Sequence, residues 1–337
     1  MRFGVVLPIQ AADTRLDELW EQVVAEAQAA EAAGFEAVFV PEFHQARGGA
    51  LTTPLLLSAA LAQATTIIGV GTSVLAAPLH HPLALAEQVA MLDWTSRGRF
   101  ILGVGTGHVA SHFDLFGADH ARRADALDAS LQALIDALVG RPVLLEGPVH
   151  RGHGQLGLPV RTRPHPPLWI AGHGPRALAR AGRLGDAWLA DPQRDVATIA
   201  ALGGRYRTAA AEAGRVPSIV LFRDGWIDDS VDACRRRWAP HALAVHRLYF
   251  NLGTYHRWLE PWVDDVTSRA DFTFERLAPG RFLCGDAATI TATVEDWAEQ
   301  TGADLLAVRF RQPGGPGHQA TLEAIARFGA EVIAPAR

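Results

Sequence analysis

Eight short and nearly continuous apolar segments alternate with amphipathic segments along this chain of 337 residues. Unbroken apolar runs are typical of strands in parallel sheets, because helices cover both faces of such a sheet. Eight strand–helix units favour the α/β class and, within it, a closed (β/α)8 TIM barrel over an open doubly wound sheet. We predict the eight strands at residues 3–7, 37–40, 67–74, 100–104, 168–171, 186–190, 218–222 and 305–310.

Two long segments interrupt this alternation, and we interpret both as insertions. The first insertion, residues 140–167, precedes strand five; it is rich in Gly, Pro and His and is expected to contain a hairpin. The second insertion, residues 229–283, lies between strands seven and eight and is partly helical, with many Trp, Arg and His residues. Because neither a fixed-period repeat nor a low-complexity linker divides the chain, we predict one domain over residues 1–337.

The composition excludes several classes of function. All 31 basic residues are arginine, so the chain can neither form a Schiff base with pyridoxal phosphate nor use a Walker-type lysine on a nucleotide. A formal charge of −5 leaves no electrostatic footprint for nucleic acid, and no apolar run is long enough to span a membrane. The sequence shows no signal peptide, and Cys234 and Cys284 are isolated in the sequence and form no metal or redox pair motif, which favours a reduced, cytoplasmic setting.

Polar residues follow the predicted strands at their carboxyl ends, where barrels of this class place their active sites. Glu42 and His44 follow strand two and share one side of an extended backbone. His44 is a candidate proton donor or acceptor; a hydrogen-bonded structural histidine is the alternative, which the strand-end position disfavours. His108 and His112 have helical spacing but lack the glutamate of a zinc-binding H-E-x-x-H motif, so we predict no metal site.

Glycines follow strands four and five. The segment Gly172-His173-Gly174-Pro175-Arg176 leads from a strand into a helix, whose N-terminal N–H groups and dipole favour a phosphate. Arg176 could bind this phosphate bidentately, through two of its N–H groups. A turn whose glycines serve steric needs alone is an equally good interpretation. The segment Gly103-Val-Gly105-Thr-Gly107 lacks the spacing of a dinucleotide fingerprint, but it lets the backbone lie close to a flat ligand.

Several segments together carry a family resemblance. The segment Val40-Pro-Glu42-Phe-His44 looks like a Glu-His-His motif after a second strand, and residues 71–93, 96–107 and 166–186 look like strands three to six of the same pattern. With residues 285–304, they resemble the bacterial luciferase-like flavin-dependent monooxygenases over nearly the whole chain, apart from about residues 229–280.

This resemblance implies a (β/α)8 barrel with insertions, which forms a homodimer through its early helices. It also implies FMN or, in a sister branch, the deazaflavin coenzyme F-420 at the carboxyl end of the barrel. A cis peptide that lies against the flavin ring in this family would join Ser73 and Val74. The implied cofactor-binding residues are Ser73, Val74, Gly105, Thr106, Gly172, His173, Gly174 and Arg176, with the phosphate near Thr106, His173, Gly174 and Arg176.

The implied activity is oxidation of a small organic substrate by O2 and reduced FMN, which a separate flavin reductase would supply. His44 and Glu42 would be the catalytic residues, and the second insertion would act as a lid and substrate wall. Phe43 replaces the first of the family's paired histidines, which argues against light emission, and Thr106 replaces an arginine that meets the FMN phosphate in luciferases. The alternatives are hydride transfer with coenzyme F-420 without O2, and a flavin-binding protein without turnover. The aromatic residues in or beside the expected lid are Trp226, Trp238, Tyr249, Tyr255, Trp258 and Trp262.

Overall fold

Parallel strands close into a barrel in the computed structural model, which describes residues 1–11, 14–46, 49–146 and 150–336. Eight of the strands in these ranges pair in the circular order β1-β2-β3-β5-β8-β9-β10-β12, and β12 pairs again with β1. The strands are β1 (Arg2–Val6), β2 (Ala37–Val40), β3 (Gly69–Thr72), β4 (Leu75–Ala76), β5 (Phe100–Gly105), β6 (Val143–Glu146), β7 (Arg151–Gly154), β8 (Leu168–Ala171), β9 (Ala187–Ala190), β10 (Ile219–Ile227), β11 (Phe282–Gly285) and β12 (Leu305–Arg309). The predicted (β/α)8 barrel is confirmed.

Helices connect the barrel strands and cover the outside of the barrel. Pro54, Pro82 and Pro175 each open a helix, because a first-turn residue needs no N–H for an intrahelical hydrogen bond. The helices are α1 (Leu16–Ala32), α2 (Pro54–Ala64), α3 (Pro82–Thr95), α4 (Ala110–Leu115), α5 (Arg123–Leu138), α6 (Pro175–Leu184), α7 (Val196–Glu212), α8 (Val231–Arg237), α9 (Ala239–Asn251), α10 (Phe274–Leu277), α11 (Ala287–Thr301) and α12 (His318–Phe328). No helix in the described ranges is long and apolar enough to cross a membrane.

Side chains fill the interior of the barrel. Inward residues of the strands, among them Phe39, Trp169, Leu189 and Phe222, form one buried apolar cluster, in which the rings of Phe39 and Trp169 lie 5.1 Å apart. A second, larger cluster fills the space between strands and helices. The barrel is therefore a packed core, and a ligand has to bind above it, at the carboxyl ends of the strands.

Both insertions lie where the sequence predicts them. In the first, β6 and β7 pair as an antiparallel hairpin, which confirms the expected element. The second contains α8, α9 and α10. One prediction here was wrong: strand seven was expected to end at residue 222, but β10 continues to Ile227, and its second half pairs with β11, a strand that the sequence did not predict. Arg223 and Asp224 interrupt the apolar run, yet the strand continues, because Asp224 pairs with Arg309 and the buried Arg223 donates to the carbonyls of Asp191 and Phe222.

Glycines allow β3 and β5 to approach each other closely near their carboxyl ends. A Cβ atom on Gly103 would lie 2.1 Å from the carbonyl oxygen of Thr72, and one on Gly71 would lie 2.6 Å from that of Ile101. This close approach allows the Thr72 hydroxyl to donate to the Gly103 carbonyl (2.7 Å) and to accept from the Gly103 N–H (3.0 Å). These contacts position the residues that follow both strands.

Candidate functional site

A buried ion pair lies at the carboxyl end of the barrel, directly above its apolar interior. Phe222 of β10 and Ala307 of β12 face inward, so Asp224 and Arg309, two positions further on, face inward as well. Arg309 donates from Nε to Asp224 Oδ1 (2.6 Å) and from Nη2 to Oδ2 (3.0 Å), and its guanidinium lies over the Phe222 ring. The mouth of the barrel is therefore polar above an apolar floor.

Asp224 also accepts hydrogen bonds from His246 Nε2 (2.9 Å) and Gln312 Nε2 (2.7 Å). Burial by itself would raise the pKa of Asp224, but Arg309 and then His246 outweigh it and hold the pKa far below its ordinary value. His246 donates from Nε2 to this carboxylate, so its Nδ1 accepts from the hydroxyl of Tyr255. The network thereby fixes the tautomer of a fully buried imidazole.

The second insertion reaches the mouth through Tyr249 of α9. Its hydroxyl accepts from Arg309 Nη1 (2.9 Å), and its ring lies 6.5 Å from that of His108, which follows β5. His108 is exposed to solvent on one side, although protein atoms surround the rest of its ring. Burial, followed by the charge of His112, lowers the pKa of His108 to about 4, so the imidazole is neutral at neutral pH.

Glu42 joins the loops that follow β2 and β3. Its Oε1 accepts from the Nε2 atoms of His44 and His80, both at 3.0 Å, and its Oε2 accepts from the Ala76 N–H at 2.5 Å. Burial tends to raise the pKa of Glu42, but these hydrogen bonds, His80 first, lower it below its ordinary value. Three donors surround an ionised carboxylate, so the geometry supports a positioning role for Glu42.

The structure brings His44 and Glu42 together, as predicted. The His44 backbone N–H donates to His112 Nε2 (3.3 Å), and the His44 ring packs edge-on against His112 and Phe116. His44 is buried, with Nε2 directed to Glu42, so Nδ1 is the nitrogen left for another partner. A catalytic role for either residue stays a prediction. The described histidines, cysteines and carboxylates form no group suited to a metal ion.

The peptide bond between Ser73 and Val74 is cis, as the resemblance implied. The Ser73 hydroxyl is buried and has no hydrogen-bond partner among the described residues. Val74 and Ala171 pack against the interior cluster, and a Cβ atom on Gly105 would lie 2.9 Å from Val74 Cγ2. An apolar floor with an unsatisfied buried hydroxyl at its edge suits a flat ligand that has a polar atom there.

The loop after β8 lies beside this floor. His173 Nδ1 and Asp191 Oδ2 are 3.1 Å apart, and the His173 ring packs against those of His256 and Trp258, which the second insertion supplies. Helix α6 begins after Gly174, where a Cβ atom would meet open space and where no described side chain caps the helix. Backbone N–H groups at this end of α6 are therefore available to an anion.

Arg176 and Arg123 differ in their partners. Arg176 is largely exposed and donates from Nε to Asp128 (2.7 Å) and from Nη1 to Asp125 (2.7 Å), both on α5. Its binding of a phosphate stays a prediction, and the two carboxylates argue against it because they already neutralise its charge. Arg123 is half-buried, donates to the His120 carbonyl (2.8 Å) and forms no ion pair with any described carboxylate. The positive charge of Arg123 contributes to lowering the pKa of both His108 and His256.

Sequence reasoning missed Arg123, Arg309 and His256. A signal existed for Arg309 alone, because a charged residue that ends an apolar strand stands where a barrel carries its site. Of the six aromatic residues expected in the lid, Trp226, Trp238 and Tyr255 are buried, and Trp262 packs on Tyr255. Tyr249, Tyr255 and Trp258 contact residues of the mouth, namely Arg309, His246 and His173.

Replacing Glu42 by Gln tests its positioning role. Gln has one acceptor oxygen where Glu has two, so at least one of the three donors loses its acceptor, and we expect the free energy of unfolding to fall by about 1–3 kcal/mol at neutral pH. Because folding lowers the pKa of Glu42, its stabilising effect is complete above the ordinary value of 4.5 and is lost as the pH falls through the folded-state pKa. The difference between wild type and variant should therefore narrow in acid, as measured by urea unfolding.

The matched control is Glu36→Gln, because Glu36 is exposed and pairs only loosely with Arg2 (3.4 Å). We expect this change to cost less than about 0.5 kcal/mol. Equal stability of Glu42→Gln and Glu36→Gln at neutral pH would contradict the positioning role.

Comparison with known proteins identifies the family. A family model described as luciferase-like monooxygenase matches residues 1–305. The 4-hydroxyprotoasukamycin monooxygenase of Streptomyces nodosus subsp. asukaensis is 33% identical over 190 residues, which are 54% of this chain and 51% of that protein. The F420-dependent hydroxymycolic acid dehydrogenase of Mycobacterium tuberculosis is 32% identical over 206 residues, 59% of this chain and 56% of that protein. The chain thus spans about half the length of these curated relatives.

A solved structure shows the same fold. The oxygenating constituent of 3,6-diketocamphane monooxygenase from Pseudomonas putida, in complex with FMN, superposes with a TM-score of 0.78 at 18% identity and covers 98% of this chain and 97% of that one. The family match, the closed barrel and the site at its carboxyl end agree. This chain belongs to the luciferase-like monooxygenase family, whose members include monooxygenases and F420-dependent oxidoreductases.

Proposed function

We propose that this protein is a flavin-dependent monooxygenase that uses reduced FMN and O2 to oxidise a small organic substrate. The observation that supports this function best is the adjacency of two surfaces. An apolar floor beside the Ser73 hydroxyl adjoins the uncapped N-terminus of α6, with Arg123 on the same side of the mouth. A ligand with a flat ring at one end and a phosphate at the other requires such a pair of surfaces.

The residues present fit this group. Ser73, Val74 and Gly105 would hold the ring, while Thr106, His173, Gly174 and Arg123 would hold the phosphate, with Arg123 in the role that the sequence assigned to Arg176. Bound reduced FMN would supply the electrons with which O2 is reduced and one oxygen atom is transferred to the substrate. The apolar floor of the mouth excludes water from this place.

Two sets of polar residues remain for the substrate. Arg309 donates three of its five N–H groups, two to Asp224 and one to the Tyr249 hydroxyl. Two N–H groups of Arg309 and the hydroxyl proton of Tyr249 are therefore left for a substrate oxygen. On the other side, Glu42 orients the His44 ring, and His44 Nδ1 exchanges a proton with the substrate.

Hydride transfer with coenzyme F-420 and without O2 is the second candidate. Thr106 stands where luciferases have a phosphate-binding arginine, and the relative from Mycobacterium tuberculosis is an F420-dependent dehydrogenase. The two candidates differ in the cofactor that the mouth prefers and in the need for O2, and both differences can be measured.

Cofactor titration of the purified protein tests the binding site. We expect FMN to bind more tightly than coenzyme F-420 and Arg123→Gln to weaken FMN about tenfold or more, because one charge-assisted hydrogen bond to the phosphate is lost. The matched control is Arg122→Gln, whose side chain is exposed one residue earlier; it should bind FMN as wild type does. Tighter binding of coenzyme F-420, or equal affinity of both variants, would contradict this assignment.

Turnover tests the role of His44. With an added flavin reductase as the source of reduced FMN, O2 consumption coupled to a panel of small organic substrates should fall about 100-fold in His44→Gln, while FMN affinity stays unchanged. The control is His153→Gln, an exposed histidine of the hairpin, which should retain full turnover. Wild-type rates in His44→Gln would exclude proton exchange by this residue, and substrate oxidation that needs F-420 but not O2 would favour the second candidate.

We propose a homodimer that forms through α2 and α3. Leu56 of α2 and Met91 and Trp94 of α3 are exposed although apolar, and the two helices pack side by side. Adjacent apolar side chains on the surface are typical of a protein–protein interface.

The change Met91→Glu places a charge on this face, where Met91 is 56% exposed, and should shift the protein to monomers in sedimentation velocity. Val216→Glu is the control, because Val216 is 89% exposed on a loop remote from α2 and α3. A monomeric wild type, or a Met91→Glu variant that sediments as a dimer, would contradict the proposed interface.

A further inference from the structure

The chain contains two cysteines in 337 residues, and the fold brings them together. Cys234 lies on α8 and Cys284 on β11; both are free thiols, and they lie close enough for each to shift the pKa of the other. A side chain contacts about 6–12 others, so a given pair in a chain of this size meets by chance only a few times in a hundred. No sequence motif connects Cys234 and Cys284, whereas the fold places them close together.

The backbone around the pair explains the contact. Cys284 stands opposite Trp226 in the parallel pairing of β10 and β11. Cys234 Sγ lies 3.4 Å from the Trp226 carbonyl oxygen and 4.0 Å from that of Gly285, the residue that follows Cys284. Helix α8 packs against β11, so both thiols are held at one place by regular secondary structure.

The two thiols have different environments. Cys234 is fully buried, whereas Cys284 is partly exposed. The neighbouring Cys234 thiol lowers the pKa of Cys284, although burial opposes this, whereas Cys284 and burial together raise the pKa of Cys234. The thiolate is the form that reacts with an oxidant, so an oxidant in solution reacts with Cys284 first and Cys234 is ready to follow.

We propose that Cys234 and Cys284 form a disulfide bond when the protein meets hydrogen peroxide. The Cys284 thiolate attacks the peroxide, the O–O bond breaks, and with one proton a sulfenic acid and a water molecule form. The Cys234 sulfur then attacks the Cys284 sulfur, the S–OH bond breaks, and a second water leaves with the Cys234 proton. Two electrons pass from the two sulfurs to one peroxide, so the step is balanced.

Such a bond would close residues 235–283 into a covalent loop. This loop contains α9, which brings His246 to Asp224 and Tyr249 to Arg309 at the mouth. A covalent closure restricts the unfolded chain and thereby stabilises the folded form of the segment. The disulfide would thus hold the wall of the mouth in oxidising conditions, whichever cofactor the protein uses.

The test starts from the full-length reduced protein, treated with about one equivalent of hydrogen peroxide and then alkylated. Non-reducing peptide mass spectrometry should find Cys234 linked to Cys284 within one chain, and dithiothreitol should restore both thiols. The melting temperature of the oxidised protein should exceed that of the reduced protein by a few degrees. Oxidation of Cys284 beyond the sulfenic acid with Cys234 still free, bonds between chains, or two unchanged thiols would each overturn the proposal.

Two variants test the order of events. In Cys234→Ala, peroxide should leave a sulfenic acid on Cys284 that dimedone traps, and in Cys284→Ser dimedone should not label Cys234. Neither variant should show the rise in melting temperature on oxidation. Because Cys284 is partly exposed, Cys284→Ser keeps the fold and serves as the reference if Cys234→Ala is unstable; dimedone labelling of Cys234 in Cys284→Ser would contradict the assigned order.

Discussion

The ion pair between Asp224 and Arg309 is the interaction on which the upper part of this barrel depends. Asp224 is fully buried, so its charge requires compensation, and four hydrogen bonds supply it: two from Arg309, one from His246 and one from Gln312. These partners come from β12, from α9 and from the segment after β12. Removal of one partner of a buried ion pair typically costs about 3–5 kcal/mol, because the other charge is left unpaired. The pair therefore joins strand seven, strand eight and the second insertion.

The second insertion is attached elsewhere by the same physical means. Glu260 is buried between Arg194, which follows β9, and Arg281, which precedes β11, at 3.1 and 3.0 Å. The carboxylate of Asp191 accepts a hydrogen bond from the backbone N–H of Arg194 and pairs with His173. Buried charges thus connect the insertion to the strand ends at both sides of the mouth. These buried ion pairs hold the second insertion in place as a wall of the site. Tyr249, His256 and Trp258 belong to this wall.

The sequence predicted the site unevenly, and the reasons are physical. Glu42 and His44 are two residues apart on an extended segment, so local geometry was enough to place them together, and the structure adds that His80 shares the same carboxylate oxygen. Arg176 follows a glycine turn at the start of a helix, and this local pattern favours it as a phosphate-binding residue. Its neutralising partners on α5 are about fifty positions away in the sequence. Only the packing of α5 beside α6 shows that Arg176 is already paired, while Arg123 has no ion-pair partner among the described carboxylates.

The sequence by itself determined the barrel, because each strand is an apolar run whose burial requires helices on the outside and side chains on the inside. It also determined the family resemblance and the location of the site, since strand ends are local features. The tertiary structure alone decided which charges meet. It directed Arg309 to Asp224, extended strand seven past its charged residues and joined two cysteines that no motif connects. Coulomb interactions and hydrogen bonds depend on distances between segments remote in the chain, and such distances exist only after the barrel has closed.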